Sequence, residues 1–126
     1  MRILWLAAVA ALAAMPAQAV TEADFQANTT GQFVSLCSAD PREPMGVAAV
    51  NFCHGFAVGA VRLQQTYHAA SRNTRLFCLP DPPPAREQAI AAFVAWAKAD
   101  QKRLDMKPAD AMFAYLGTEY PCKRGR

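Results

Sequence analysis

Apolar residues along this chain recur at intervals of three and four, and no stretch alternates convincingly at two, so the pattern predicts helices and no confident strand. Behind an apolar leader, residues 23–37 form the first helical candidate, interrupted early by Asn28, Thr29, Thr30 and Gly31. Thr29 or Thr30 is a good N-cap, so a firmer helix is expected to begin there and to carry Phe33, Val34 and Leu36. Pro41 and Pro44 end it, because proline resists helix continuation and biases its predecessor away from αR. Residues 45–68 give the strongest pattern, with Val47, Val50, His54, Ala57, Val58, Val61 and Tyr67 near helical spacing. Gly55 and Gly59 interrupt it, each costing about 1 kcal/mol against alanine in a helix interior. Close approach by a neighbouring backbone is the expected compensation.

A polar loop follows at residues 71–75, and Asp81 then precedes three prolines, the later of which suit a first helical turn. The third helix is expected to run to about Leu104, with Ile90, Phe93, Val94 and Ala97 as its apolar stripe and Trp96 on its flank. Met106 and Lys107 break it. Pro108 suits the first position of a fourth helix, and Asp110 in that first turn favours the dipole. Ala109, Met112, Phe113, Leu116 and Tyr120 are expected to face inward, and Pro121 closes the element. The predicted fold is all-α, a small four-helix domain.

The leader changes where this domain is placed. Arg2, the apolar run of residues 3–15 and the small-x-small pattern Ala17-Gln18-Ala19 fit a secretory signal cut after Ala19. The run is shorter than the roughly 20 residues a membrane span needs, and no second long apolar stretch is expected after it. The expectation is therefore a single domain of residues 20–126 in the periplasm, with no stable membrane insertion. Net charge falls from +3 to +2 on losing Arg2, too little for a nucleic-acid-binding field. The basic tail of Lys123, Arg124 and Arg126 reads as a solvated end.

An exported chain enters an oxidising compartment, so the four cysteines Cys37, Cys53, Cys78 and Cys122 read as disulfides. Helix order ranks the three pairings. Cys37 closes the first helix and Cys53 lies early in the second, side by side in an antiparallel hairpin. Cys78 precedes the third helix and Cys122 follows the fourth, at the open end of a second hairpin. The expected bonds are Cys37–Cys53 and Cys78–Cys122. No spacing suits zinc, and no Cys-x-x-Cys is present, so neither a metal nor a cofactor is expected.

The remaining residues offer no catalytic constellation. His54 and His68 are the only histidines; His54 beside Cys53 reads as a packing residue, and His68 near a helix end suits the dipole. No context suggests a Ser-His-Asp arrangement, a phosphate loop or a Glu-x-x-His pair. Trp96, Tyr115 and Tyr120 are candidates for a recognition surface but read more readily as core or half-buried.

The residues around the cysteines form an ordered series: Cys53-His54-Gly55-Phe56-Ala57-Val58-Gly59, then Phe77-Cys78-Leu79-Pro80, then a helix, then Tyr120-Pro121-Cys122. Over residues 33–122 this series resembles the Rap/Tai family of immunity proteins associated with type VI secretion. The resemblance implies a small helical periplasmic protein that binds a toxin delivered by neighbouring bacteria. In the best-known members the toxin is a peptidoglycan amidase whose cleft a dimer of the immunity protein blocks, so a protein effector and a homodimer are the implied partners. The chain departs from the usual family pattern at Phe56, where tyrosine is frequent, and at Ala60, where an acidic residue is frequent. Arg72, Asn73 and Arg75 are the expected contact surface, being polar, basic and next to a staple. An acid-stress chaperone, made acid-sensitive by ten carboxylates, is the alternative reading. A small hydrolase using His54 is the weakest of the three.

Overall fold

A computed structural model describes residues 19–71 and 75–123. Among them a 3-10 turn, Glu22–Gln26, leads into five α-helices and no strand: α1 (Thr30–Cys37), α2 (Gly46–Ser71), α3 (Arg86–Lys98), α4 (Gln101–Asp105) and α5 (Pro108–Glu119). The expected leader, residues 1–18, and the tail beyond Lys123 lie outside the described residues.

The short helix α1 is the hub, touching the 3-10 turn and every other helix. Its start is fixed by a capping box. The Thr29 hydroxyl accepts the Gln32 N–H at 3.3 Å, and the Gln32 side chain accepts the Thr29 N–H at 3.3 Å. Phe33 and Leu36 are almost fully enclosed, as the sequence pattern requires, and Val34 is buried beside them. Thr30 is buried as well, and its N–H and hydroxyl both donate to the Met106 carbonyl, at 2.7 and 2.9 Å. That double bond ties the start of α1 to the α4–α5 link and satisfies a polar side chain where water cannot.

Around this hub lie Ala49 and Cys53 of α2, Phe93 and Ala97 of α3, and Ala111, Met112, Tyr115 and Leu116 of α5. Phe77 joins them from the segment between α2 and α3, stacked 6.1 Å from Phe113. Both disulfides are present. Cys37–Cys53 joins the end of α1 to α2 with a Cα separation of 5.1 Å, and Cys78–Cys122 joins the strap before α3 to the chain after α5 at 4.8 Å.

Helix α2 meets expectation in part. Ala57 and Val61 of the predicted stripe pack against the core together with Ala49, Cys53, Phe56 and Ala60, whereas Val47 and Tyr67 are 58% and 61% exposed. The Cys37–Cys53 bond holds the Cys53 edge against α1. The glycine expectation also fails. A Cβ at Gly55 or Gly59 would meet nothing within 4 Å, so no neighbouring backbone of this chain compensates them. Gly46, by contrast, is required: a Cβ there would collide with the Asp40 carbonyl where the α1–α2 turn folds back. The second long apolar stretch that was not expected is α2 itself, since Gly46–Ala70 is long and apolar enough to cross a membrane by length and composition. Here its first half is bonded to α1 and packed on it.

The third predicted helix is shorter than expected. α3 stops at Lys98, and Asp100, extended at φ −147°, accepts the Lys102 N–H at 2.9 Å to start α4 as a separate turn. Arg103 then folds back over Trp96, 4.2 Å from the ring centroid, and donates to the Trp96 carbonyl at 2.7 Å. The prolines also stay outside α3: its N-cap is Ala85, so Pro82, Pro83 and Pro84 belong to the preceding strap. Pro108 does open α5, with Asp110 in its first turn.

Candidate functional site

The Cys78–Cys122 bond and the Cys78 N–H to Tyr120 carbonyl bond of 2.8 Å pin the segment leading into α3 across the end of α5. A Cβ at Gly117 would stand 3.1 Å from the Leu76 carbonyl, so the glycine lets this strap lie close. The strap carries Arg75, exposed at its start, and Leu76, 53% exposed beside it. Of the expected contact residues, Arg72 and Asn73 lie outside the described residues, and Arg75 alone is placed.

Arg75 borders a cleft of about 460 Å³ between the strap and the last turns of α2, lined also by Gln64, Gln65, His68, Phe77 and Leu79. Its walls are mixed: amide, imidazole and guanidinium groups stand over an aromatic floor. His68 Nδ1 is buried here with no hydrogen-bond partner, a polar atom awaiting one. No sequence pattern singled out Gln64, Gln65 or His68 as neighbours of Arg75. The i, i+1, i+4 spacing puts the three on one side of the last turns of α2, but the strap that makes that side concave is fixed by the distant Cys122.

A second concavity, of about 310 Å³, lies on the other side of Leu79 and Gln65, between α2, α3 and α5. Ala57, Val58 and Val61 of α2 line it. Phe33, Phe93, Met112 and Leu116 form deeper walls, and Arg62 and Arg86 also border it. Tyr115, one of the aromatic candidates, lines this cavity as a buried residue, while Trp96 and Tyr120 are half-buried. Burial, with the Glu119 charge and Tyr120 adding to it, pushes the Tyr115 hydroxyl above its ordinary pKa, so it remains a neutral donor at physiological pH.

His54 is half-buried on α2 next to the buried Cys53, with no carboxylate bonded to it among the described residues. The one carboxylate with a clearly displaced pKa is Asp40, held below its ordinary value by the Arg42 guanidinium and then the Arg42 N–H, in an exposed turn remote from both concavities. Among the described residues no three histidine, cysteine or acidic side chains converge.

The family model of Rap1a immunity proteins matches residues 29–122, from the N-cap of α1 to the second disulfide. The chain belongs to the Rap1a immunity protein family. No curated protein and no solved structure matches it. Membership gives an immunity role against secreted effectors, hence a protein effector as partner, and immunity proteins of this kind are generally non-enzymatic. The matched span contains both disulfides, and the Rap1a family and the two bonds are consistent with an extracytoplasmic location. Of the departures from the usual family pattern, Phe56 packs 4.7 Å from Phe33 and Ala60 against the core, so both are absorbed by packing.

Proposed function

We propose that this protein is exported through its leader, cut after Ala19, and acts in the periplasm by binding an antibacterial effector of a type VI secretion system and blocking its active site. A peptidoglycan amidase is the proposed effector class. The observation that carries the reading is the Rap1a family match across all of the disulfide-braced helices. The proposed contact residues are Arg72, Asn73 and Arg75, of which Arg75 borders the cleft. The disulfide at Cys78, three residues beyond Arg75, stiffens the strap and lowers the entropic cost of binding.

The reading includes a homodimer through the open face of α2. Gly55 and Gly59 are exposed with nothing above them, and Phe52 and Leu63 flank them at 36% and 71% exposure. A second copy's helix could approach there as closely as no helix of the same chain does. The acid-chaperone alternative draws little from the structure: the described ion pairs, Asp40–Arg42 and Asp100–Arg103, are surface pairs whose loss on protonation changes little.

The test is a contact-killing competition. A strain lacking this gene but keeping its secretion system is expected to be killed by its parent and rescued by the wild-type chain. Rescue by the Arg75→Glu chain should be weaker, with periplasmic levels unchanged. Equal survival of deleted and parental strains would sink the immunity reading for this chain.

A further inference from the structure

The cavity between α2, α3 and α5 is built unlike a surface made for another protein. Its deeper walls are apolar and aromatic, among them Phe33 and Phe93, 1% and 4% exposed. Val58 and Val61, both half-buried, extend that apolar lining along α2. Two guanidiniums, Arg62 and Arg86, stand at its border; no aspartate or glutamate lines it, and among the described residues neither arginine is ion-paired. Tyr115 is 6% exposed in its wall.

From the apolar walls and the two unpaired guanidiniums, we infer that this cavity binds a free medium-chain fatty carboxylate, its chain against Phe33, Phe93 and Val61 and its head at Arg62 and Arg86. Its volume of about 310 Å³ is at the small end of ligand sites. At about 30 Å³ per water-sized group it holds on the order of ten non-hydrogen atoms. That matches one chain of about ten carbons and excludes a two-chain phospholipid. Two guanidiniums without an ion-pair partner suit a carboxylate head, which accepts bidentate guanidinium bonds.

The experiment titrates the mature chain with sodium decanoate, decanol and acetate by isothermal titration calorimetry, with native mass spectrometry for stoichiometry. Decanoate is expected to bind saturably at one molecule per chain, decanol about tenfold more weakly for want of the charged head, and acetate not at all. Arg62→Ala with Arg86→Ala, both exposed and away from the core, should weaken decanoate by tenfold or more and leave decanol unchanged. Val61→Trp should fill the cavity and abolish both, with a thermal melt confirming the fold. The idea is overturned if decanoate does not bind, binds the arginine variant equally well, or binds in several copies as detergent does. Co-sedimentation with phosphatidylglycerol vesicles in the absence of decanoate binding also overturns it, assigning the surface to a membrane instead. Decanoate is added alone, so none of these results bears on whether an effector is recognised.

Discussion

Replacing Cys78 and Cys122 together by alanine tests the claim that the strap is held by its covalent bond more than by its packing. The bond closes a loop of 44 residues, and Cys78 and Cys122 are only half-buried, so little packing is lost with the sulfurs. In the chain-entropy model such a loop is worth about 4 kcal/mol at 25 °C. For a domain of roughly 100 residues each kcal/mol shifts Tm by about 4–5 °C, which gives a fall of about 16–20 °C. The Cys37–Cys53 loop, with a separation of 16, is worth about 3 kcal/mol by the same model, but Cys53 is wholly enclosed, and its truncation adds a cavity. The two double variants should therefore lose similar stability for different reasons. Differential scanning calorimetry measures the totals. Hydrogen exchange separates the causes: the Cys78 amide, bonded to Tyr120 in the native strap, should lose protection well before global unfolding only in the Cys78/Cys122 variant. A Tm fall under about 5 °C in that variant, or a strap amide still protected to the global limit, would refute the reasoning.

Three further outcomes follow from single contacts. Thr30→Val keeps the shape of a buried side chain but removes the hydroxyl bond to Met106, whose carbonyl keeps the Thr30 N–H; urea denaturation should show a loss of about 1 kcal/mol. Gly46→Ala drives a methyl into the Asp40 backbone and should cost about 1–3 kcal/mol by the same assay, whereas Gly59→Ala, open to solvent, should gain up to about 1 kcal/mol in a monomeric sample. Asp40→Asn tests the sign of the one displaced carboxyl. Its folded pKa lies below the ordinary value, so the stabilisation from Arg42 is complete above that value and is lost as pH falls through the folded pKa. The pair is exposed, so the variant's Tm at pH 7 should stay close to that of wild type, and any difference should vanish once the pH lies below the folded pKa of Asp40.

Much of the fold was legible because local chemistry specified it. The Thr29–Gln32 box, the Pro108 start of α5 and the buried Phe33, Leu36, Phe93 and Leu116 all follow from cap residues and helical spacing. Helix order also ranked the cysteine pairs that the structure contains. What escaped was tertiary. Spacing did not show that Val47 and Tyr67, at the two ends of the α2 stripe, lie beyond the reach of the core and stay exposed. Asp100 beginning a new turn required its side chain to outcompete helix continuation after Lys98, a contest of a few tenths of a kcal/mol that spacing does not reveal. The clefts escaped for the same reason: one is a meeting of α2 with a strap whose position depends on Cys122, and the other lies among α2, α3 and α5, helices far apart along the chain.

The long helix α2 is secured along one edge by a covalent bond rather than by close-fitting contacts all round. Its outward positions, among them Asn51, Gly55, Gly59 and Leu63, therefore carry little of the molecule's stability. Substitutions there are expected to leave the fold standing, with the bond keeping the helix in place, so their effect falls on the pairing of two α2 helices proposed above and not on the domain itself. Oxidation and assembly are thereby linked: the staple that fixes the architecture along one edge of α2 is what leaves its opposite face free for a second copy.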